Sequence, residues 1–151
     1  MRDAEVKLRE RFPDAEYYRH NESRLYFKVP REQVTDACRF LHQERGMRLC
    51  ICTGIDTREG FEVLYHFSDD DNGGLYTLKV LAPKDDPRID SQAPWFPSTD
   101  WIEREMHELL GIDFPGHPDM QPLLTSDTDW EDERKPLRRD YERRAEKHER
   151  G

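Results

Sequence analysis

The sequence predicts an α+β domain: an antiparallel or mixed sheet meander with helices packed on one face, followed by a further helix and an extended proline-rich C-terminal strap. Three observations predict it. Apolar residues recur with helical spacing in three segments. They alternate with period two in four others, and three of those four follow one another with turns and no helix between them. Strands joined directly by turns pair antiparallel, whereas a purely parallel sheet needs interleaved helices.

The first helix is predicted over residues 3–12, where Ala4, Leu8 and Phe12 fall at i, i+4, i+8 and Pro13 closes the segment. "RLYFKVP" alternates Leu25, Phe27 and Val29 against Tyr26 and Lys28, the period of a half-buried strand. Pro30 suits the first turn of a second helix, in which Val34, Ala37, Cys38 and Leu41 share a face and Gly46 supplies the stop. "MRLCICTGI" then sets Met47, Leu49, Ile51 and Ile55 on one strand face, and "FEVLYHF" does the same with Phe61, Val63, Tyr65 and Phe67. "DDDNGG" is a turn, and "LYTLKVLA" is the third consecutive strand. The expected order to this point is α-β-α-β-β-β.

After Ala82 the texture changes. "PKDDPRIDSQAPWFPS" has four prolines and no periodicity, so it is a loop, and a long one for a compact domain. Ser98, Thr99 and Asp100 offer cap oxygens to the next helix, with Asp100 and Glu103 as the expected cap pair. Ile102, Met106, Leu109 and Leu110 form its apolar stripe, and Gly111 ends it. Beyond, "IDFPGHPDMQPLL" carries three prolines and should run as a rigid surface segment. The expected division is a compact domain at 1–111 and a strap with a charged tail at 112–151.

Composition narrows the function classes. Only 34% of the 151 residues are hydrophobic and 38% are charged, with a mean hydropathy of -1.06. A chain this polar has little apolar surface to offset the entropy of ordering, so part of it should gain its order from a partner. The net charge is -9, unevenly placed: residues 131–151 hold eight Lys/Arg and seven Asp/Glu, leaving sixteen against twenty-six in 1–130. An acidic body repels phosphate backbones and argues against a nucleic-acid binder. No apolar run approaches the ~20 residues of a membrane span, and "MRDAEVKLRE" lacks the apolar stretch of a secretory signal. Three cysteines form no disulfide framework. The expectation is an intracellular, reduced chain, soluble or peripheral to a membrane.

No self-sufficient active site stands out. His107-Glu108 starts a zincin-like pair, but Gly111 occupies the position of the second histidine. Glu103, His107 and His117 are the candidates for a stand-alone metal-dependent enzyme, against the blander expectation that such Glu and His side chains are exposed on a helix. Glu103, Arg104 and Glu105 read as an ion-pair surface. Cys50 and Cys52 on a strand, with Cys38 distant, fall short of the four thiolates of an iron–sulfur cluster and read as small buried hydrophobes. The segment 134–144 is basic but interleaved with acids, a weak basis for an adaptor that recruits nucleic acid. Docking remains, on equal terms with an ordinary capped helix followed by a surface loop. A helix carrying Trp101, Glu103, Arg104 and Glu105, followed by a stiff strap, presents rigid anchors at low entropic cost.

At this point a resemblance enters. Trp101-Ile-Glu-Arg-Glu105, then Leu109-Leu-Gly-Ile-Asp-Phe-Pro-Gly-His-Pro-Asp119, then Asp129-Trp130, then Pro136-Leu-Arg-Arg-Asp-Tyr141 resemble the small peripheral C-subunit of NADH:quinone oxidoreductase (complex I). The same module recurs in membrane-bound, energy-converting NiFe hydrogenases. The preceding Pro87-Arg-Ile-Asp-Ser91 resembles that family's approach to the helix, and the likeness covers roughly residues 75–141. It implies a cofactor-free accessory subunit of the hydrophilic arm, on the cytoplasmic side of a prokaryotic membrane and touching the membrane only through the complex. Its partners would be a small Fe–S subunit and a large subunit that carries the quinone site or the NiFe centre. The residues so implied in partner docking are Trp101, Glu103, Arg104 and Glu105 on the helix, and Gly116, His117, Pro118 and Asp119 after it. In the tail they are Trp130, Pro136, Leu137, Arg138, Asp140 and Tyr141. Where complex I members read E-R-E-x-Y-D-L-F-G, this chain has Met106-His107-Glu108-Leu109-Leu110-Gly111. Where they carry two arginines after G-H-P-D-L, it has Gln121-Pro122-Leu123-Leu124. "HELLGI" and "PLL" lean toward the hydrogenase branch.

Overall fold

A computed structural model describes residues 2–124 and 135–140. Trp130 and Tyr141, both expected docking residues, lie outside them. The order is α1 (Asp3–Arg11), β1 (Glu16–Asn21), β2 (Arg24–Lys28), α2 (Val34–Arg39), β3 (Arg48–Asp56), β4 (Phe61–Asp69), β5 (Gly74–Ala82) and α3 (Thr99–Leu110). A 3-10 turn at Arg31–Gln33 leads into α2, and a π turn at Phe40–Glu44 ends it.

The five strands form one mixed sheet in the order β1-β2-β5-β4-β3. β3, β4 and β5 are the expected antiparallel meander, and β5 closes on β2 in parallel, Phe27 opposite Leu78. The strand β1 was not foreseen. "EYYRHN" buries almost nothing, so its strand character comes from the ladder with β2 rather than from apolar alternation. An Asx turn closes that hairpin, with Ser23 N donating to Asn21 Oδ1 at 2.9 Å.

Among the described residues helices cover one face only. Leu8, Phe12, Ala37, Cys38 and Leu41 pack with Leu25, Phe27, Tyr65, Phe67, Leu78 and Val80 from the sheet, and α3 closes the β3 end. Gly54 makes that closure possible, because a Cβ there would lie 2.8 Å from Met106 Sδ and 2.9 Å from Leu110 Cδ1.

The expected face of β3 needs correcting. A bulge between Leu49 and Ile51 inserts Cys50 as an unpaired residue: Leu49 faces Phe67 while Ile51 faces His66. One extra residue exchanges the two faces of everything after it. Cys52 therefore faces the core, while Ile51 and Ile55 point outward, 52% and 40% exposed. Of the cysteines read as buried, Cys38 and Cys52 are, and desolvation drives both thiols upward in pKa; Cys50 is exposed.

The core also passes the expected boundary at residue 111. Ile112 and Phe114 are buried members of it. Residues 113–115 are stitched to the proline-rich loop by Ile89 N to Asp113 O (3.0 Å), Asp113 N to Pro87 O (2.8 Å) and Ser91 N to Pro115 O (2.8 Å). No helix among the described residues is long and apolar enough to cross a membrane.

Candidate docking surface and its internal scaffold

The helix α3 begins and ends where expected, yet its buried face differs. Thr99, Glu103, Met106 and Leu110 turn inward, while Ile102 and Leu109 lie half-buried on the flank. No side chain caps the N-terminus, so the Asp100–Glu103 cap pair is not formed. Instead Glu103 is fully buried and takes its hydrogen bonds from the loop. Ser91 Oγ donates to Oε2 at 2.5 Å and Gln92 N to Oε1 at 2.7 Å. The helix rotates toward the loop because the loop's buried donors need an acceptor and Glu103 is the carboxylate within reach. Burial pushes the Glu103 carboxyl above its usual range, against the opposing pull of Ser91, Gln92 and the nearby His117.

His117 completes this internal knot. Its side chain is buried, with Nε2 3.1 Å from Asp100 O, 3.3 Å from Asp100 Oδ1 and 4.0 Å from Glu103 Oε2. Asp119 N donates to Nδ1 at 3.0 Å, so in the neutral ring the proton sits on Nε2 and points at Asp100. The Gly-His-Pro-Asp block is thus a turn, with Gly116 at φ 85°, that sends one imidazole beneath the helix.

These positions correct the surface roles expected of Glu103 and His117, whose side chains face inward. They also correct the ion-pair reading of 103–105. The metal candidates do not converge: Glu103 and His117 meet, but His107 Nδ1 lies 2.9 Å from Ile112 O and 3.4 Å from Asp113. Among the described residues no group of three metal-ligating side chains comes together.

Arg104 has a different task. Its Nε donates to Gln121 O at 2.7 Å and Nη2 to Pro122 O at 2.9 Å. One turn on, Glu108 accepts from the backbone N–H of Leu123 and, at 2.9 Å, of Leu124. The i, i+4 pair grips 121–124 by backbone alone, which leaves the Leu124 side chain 57% exposed. Sequence reading missed Glu108, although its spacing from Arg104 was the available signal.

The block 135–140 returns to the other end of the helix. Leu137 N donates to Leu109 O (3.1 Å), Arg138 Nε to Leu110 O (2.6 Å) and Lys135 Nζ to His107 O (3.2 Å). These donors satisfy carbonyls that a helix terminus leaves free, and the cations suit its negative end. Arg138 also lies 5.1 Å above the Phe61 ring, and Arg139 N donates to Asp56 Oδ2 at 2.8 Å. Asp56 in turn is paired with Lys84 at 2.8 Å. Burial alone would raise the Asp56 carboxyl, but Lys84 and the Arg139 N–H together hold it below its ordinary value. Arg138→Ala is expected to cost about 1–2 kcal/mol, the worth of a charge-assisted bond plus the ring contact, and to release 135–140 to protease; thermal melts and limited proteolysis check both.

The result is a surface backed by an internal scaffold. Trp101 (68% exposed) and Leu137 (59%) stand out among the candidate docking residues, and Glu105, Pro118, Asp119 and Asp140 are exposed beside them, with Pro136 half-buried. Held backbones with exposed apolar side chains are what rigid docking anchors require.

Comparison with known proteins agrees with this architecture. The family model described as "Respiratory-chain NADH dehydrogenase, 30 Kd subunit" matches residues 27–147. The C-subunit of the NADH-quinone oxidoreductase of Geobacter sulfurreducens is 34% identical over 147 residues, spanning 91% of this chain and 87% of that protein. The C-subunit of the F(420)H(2) dehydrogenase of Methanosarcina mazei is 33% identical over 125 residues, 79% of this chain and 76% of that one. Two solved structures share the fold at 26% identity. The trypsin-resistant fragment of Nqo5 covers 79% of this chain and 99% of its own, at a TM-score of 0.67. A chain of the membrane-bound sulfane sulfur reductase, an archaeal respiratory membrane complex, covers 91% and 82%, at 0.77. The chain belongs to the respiratory-chain NADH dehydrogenase 30 Kd subunit family, the C-subunits of complex-I-like, multi-subunit redox complexes.

Proposed function

We propose that this subunit is a cofactor-free accessory chain of the hydrophilic arm, on the cytoplasmic side of the membrane, and that it docks on the large catalytic subunit. The observation that carries this reading is the strap. Arg104 and Glu108 spend their charges on the backbone of 121–124, and the helix terminus holds 135–140, so Trp101, Leu124 and Leu137 are fixed and exposed with nothing among the described residues to cover them. An aromatic anchor such as Trp101, once a partner buries it, is the kind of residue that dominates interface energetics. The redox groups, iron–sulfur clusters with a quinone site or a NiFe centre, belong in the neighbouring subunits. "HELLGI" and "PLL" support a hydrogenase-like branch.

The test is affinity capture of the tagged chain from gently solubilised native membranes, with partners identified by mass spectrometry. A co-purifying large subunit is the expected result. Two C-x-x-C pairs in that subunit would establish the hydrogenase branch, and their absence would refute it. Recovery of the chain alone would overturn the docking reading. Arg104→Ala is expected to reduce recovery of the complex about tenfold or more while costing the fold about 1 kcal/mol or less, since its bonds are at the surface. A large fall in melting temperature with assembly intact would refute that assignment.

A further inference from the structure

The two edges of the sheet are unlike each other. β1 is short, bulged between Arg19 and Asn21, and carries Glu16, Arg19 and His20. Charge, brevity and bulges are the usual means of keeping an edge from pairing with another chain. β3 is nine residues long, and beyond its bulge the stretch Cys50–Ile55 holds no charge and no proline, in a chain where 38% of residues are charged. Its outer side chains Ile51, Thr53 and Ile55 are exposed, and among the described residues no backbone group from outside the sheet bonds to the backbone of residues 48–56.

A groove of about 290 Å³ runs along that edge. Ile51 and Thr53 form one wall, the α3 flank of Ile102, Glu105 and Leu109 forms the other, and Leu137 closes an end. Glu105 is the single charged residue among those lining it, and has no ion pair among the described residues.

We propose that this edge and groove accept an extended segment of a neighbouring subunit as a sixth strand. The chemistry selects the occupant. A row of backbone N–H and C=O groups is satisfied in full only by another extended chain, and an edge strand beside a helix-walled apolar groove is the geometry of strand addition. Alternate aliphatic side chains of the incoming strand fill the groove between Ile102, Leu109 and Leu137, and one Lys or Arg on it meets Glu105. The proposal rests on the reading that the chain is a docked subunit, and names which part of its surface pairs by backbone.

Amide hydrogen exchange tests it, on the full-length chain alone and within the complex captured from membranes. In the complex the amides of residues 50–55 should exchange about tenfold slower or more than in the free chain, while those of β1 are unchanged. Retained capture of partners with no slowing at 50–55 overturns the strand-addition proposal alone. Failure of the wild-type chain to capture partners overturns the docking reading, and this proposal with it. Slow exchange already present in the free monomer means the chain covers its own edge. Slow exchange that rises with protein concentration means a second copy does. Either result overturns the proposal. As a second readout, Ile51→Lys should reduce recovery of the complex about tenfold at an unchanged melting temperature, and Tyr18→Lys on the opposite edge should not. Equal recovery for the two variants counts against it.

Discussion

Glu103→Ala is expected to be the most damaging single substitution in the domain, at about 3–5 kcal/mol, because it strips the partner from a buried polar knot. The carboxylate is fully buried, and both of its donors are too: Ser91 is 5% exposed and Gln92 is 0%. Truncation leaves the Ser91 O–H and the Gln92 N–H without acceptors in the interior, and each costs about 1–3 kcal/mol. The loop 83–98 would lose its hold on α3, and with it the seat of His117. Glu103→Gln separates shape from charge. Its carbonyl oxygen can still accept from Gln92 N, so its cost should be about 1–2 kcal/mol.

The same pair reports the protonation of Glu103. Burial raises its folded-state pKa above the unfolded value of 4.5, so between those two pKa values the folded protein binds more protons than the unfolded chain. Stability from this group is fully present below pH 4.5 and declines as pH rises through the folded pKa. Urea denaturation at intervals upward from pH 4.5 should show that decline in the wild type and a flatter profile in Glu103→Gln. Identical profiles would show that the group is not held against its charge. Asp56 works in the opposite sense. Its depressed pKa contributes stability above the unfolded value of 3.8 that is lost as pH falls through the folded one.

What the sequence disclosed and what it concealed divide along physical lines. Element type was legible wherever a period was long and clean: the strands around Phe61–Phe67 and Leu75–Ala82, and α3 from its cap-rich start to Gly111. Which way each element faces was legible only where nothing intervened. In β3 one bulged residue, Cys50, reversed the faces, and no local propensity announces a bulge at a cysteine. In α3 the apolar stripe predicted a seam near Ile102, but a carboxylate can turn inward when buried donors wait for it, and those donors came from a loop, twelve and eleven residues upstream. β1 was invisible because an exposed edge strand needs no apolar alternation once a partner strand supplies the ladder. The blocks that carried the family resemblance were legible as blocks but not as roles. Glu103 and His117 act beneath the surface, and Arg104 and Arg138 act on the chain's own backbone.

Gly111→Val should couple the fold to assembly more strongly than any exposed substitution. Gly111 caps α3 at φ 80°, ψ 29°, in the left-handed region, where a β-branched residue is strained by about 1–2 kcal/mol. Its Cβ would also lie 2.5 Å from Arg138 Nη2 and 3.3 Å from Lys135 Cε. The arginine can swing away at little cost in itself, but doing so gives up its bond to Leu110 O and its place over Phe61. The expected total is about 2–4 kcal/mol, with 135–140 lifted off the helix end. Gly111→Asn divides the two effects. Asparagine tolerates the left-handed conformation, so the strain is relieved, while its Cβ still displaces Arg138 and leaves about the 1–2 kcal/mol cost of Arg138→Ala. If 135–140 positions Leu137 for a partner, Gly111→Asn melts no lower than Arg138→Ala yet recovers little of the complex from membranes. If it assembles as well as the wild type, the seating of 135–140 matters to the fold alone, and the docking anchors must then lie on α3 and 121–124.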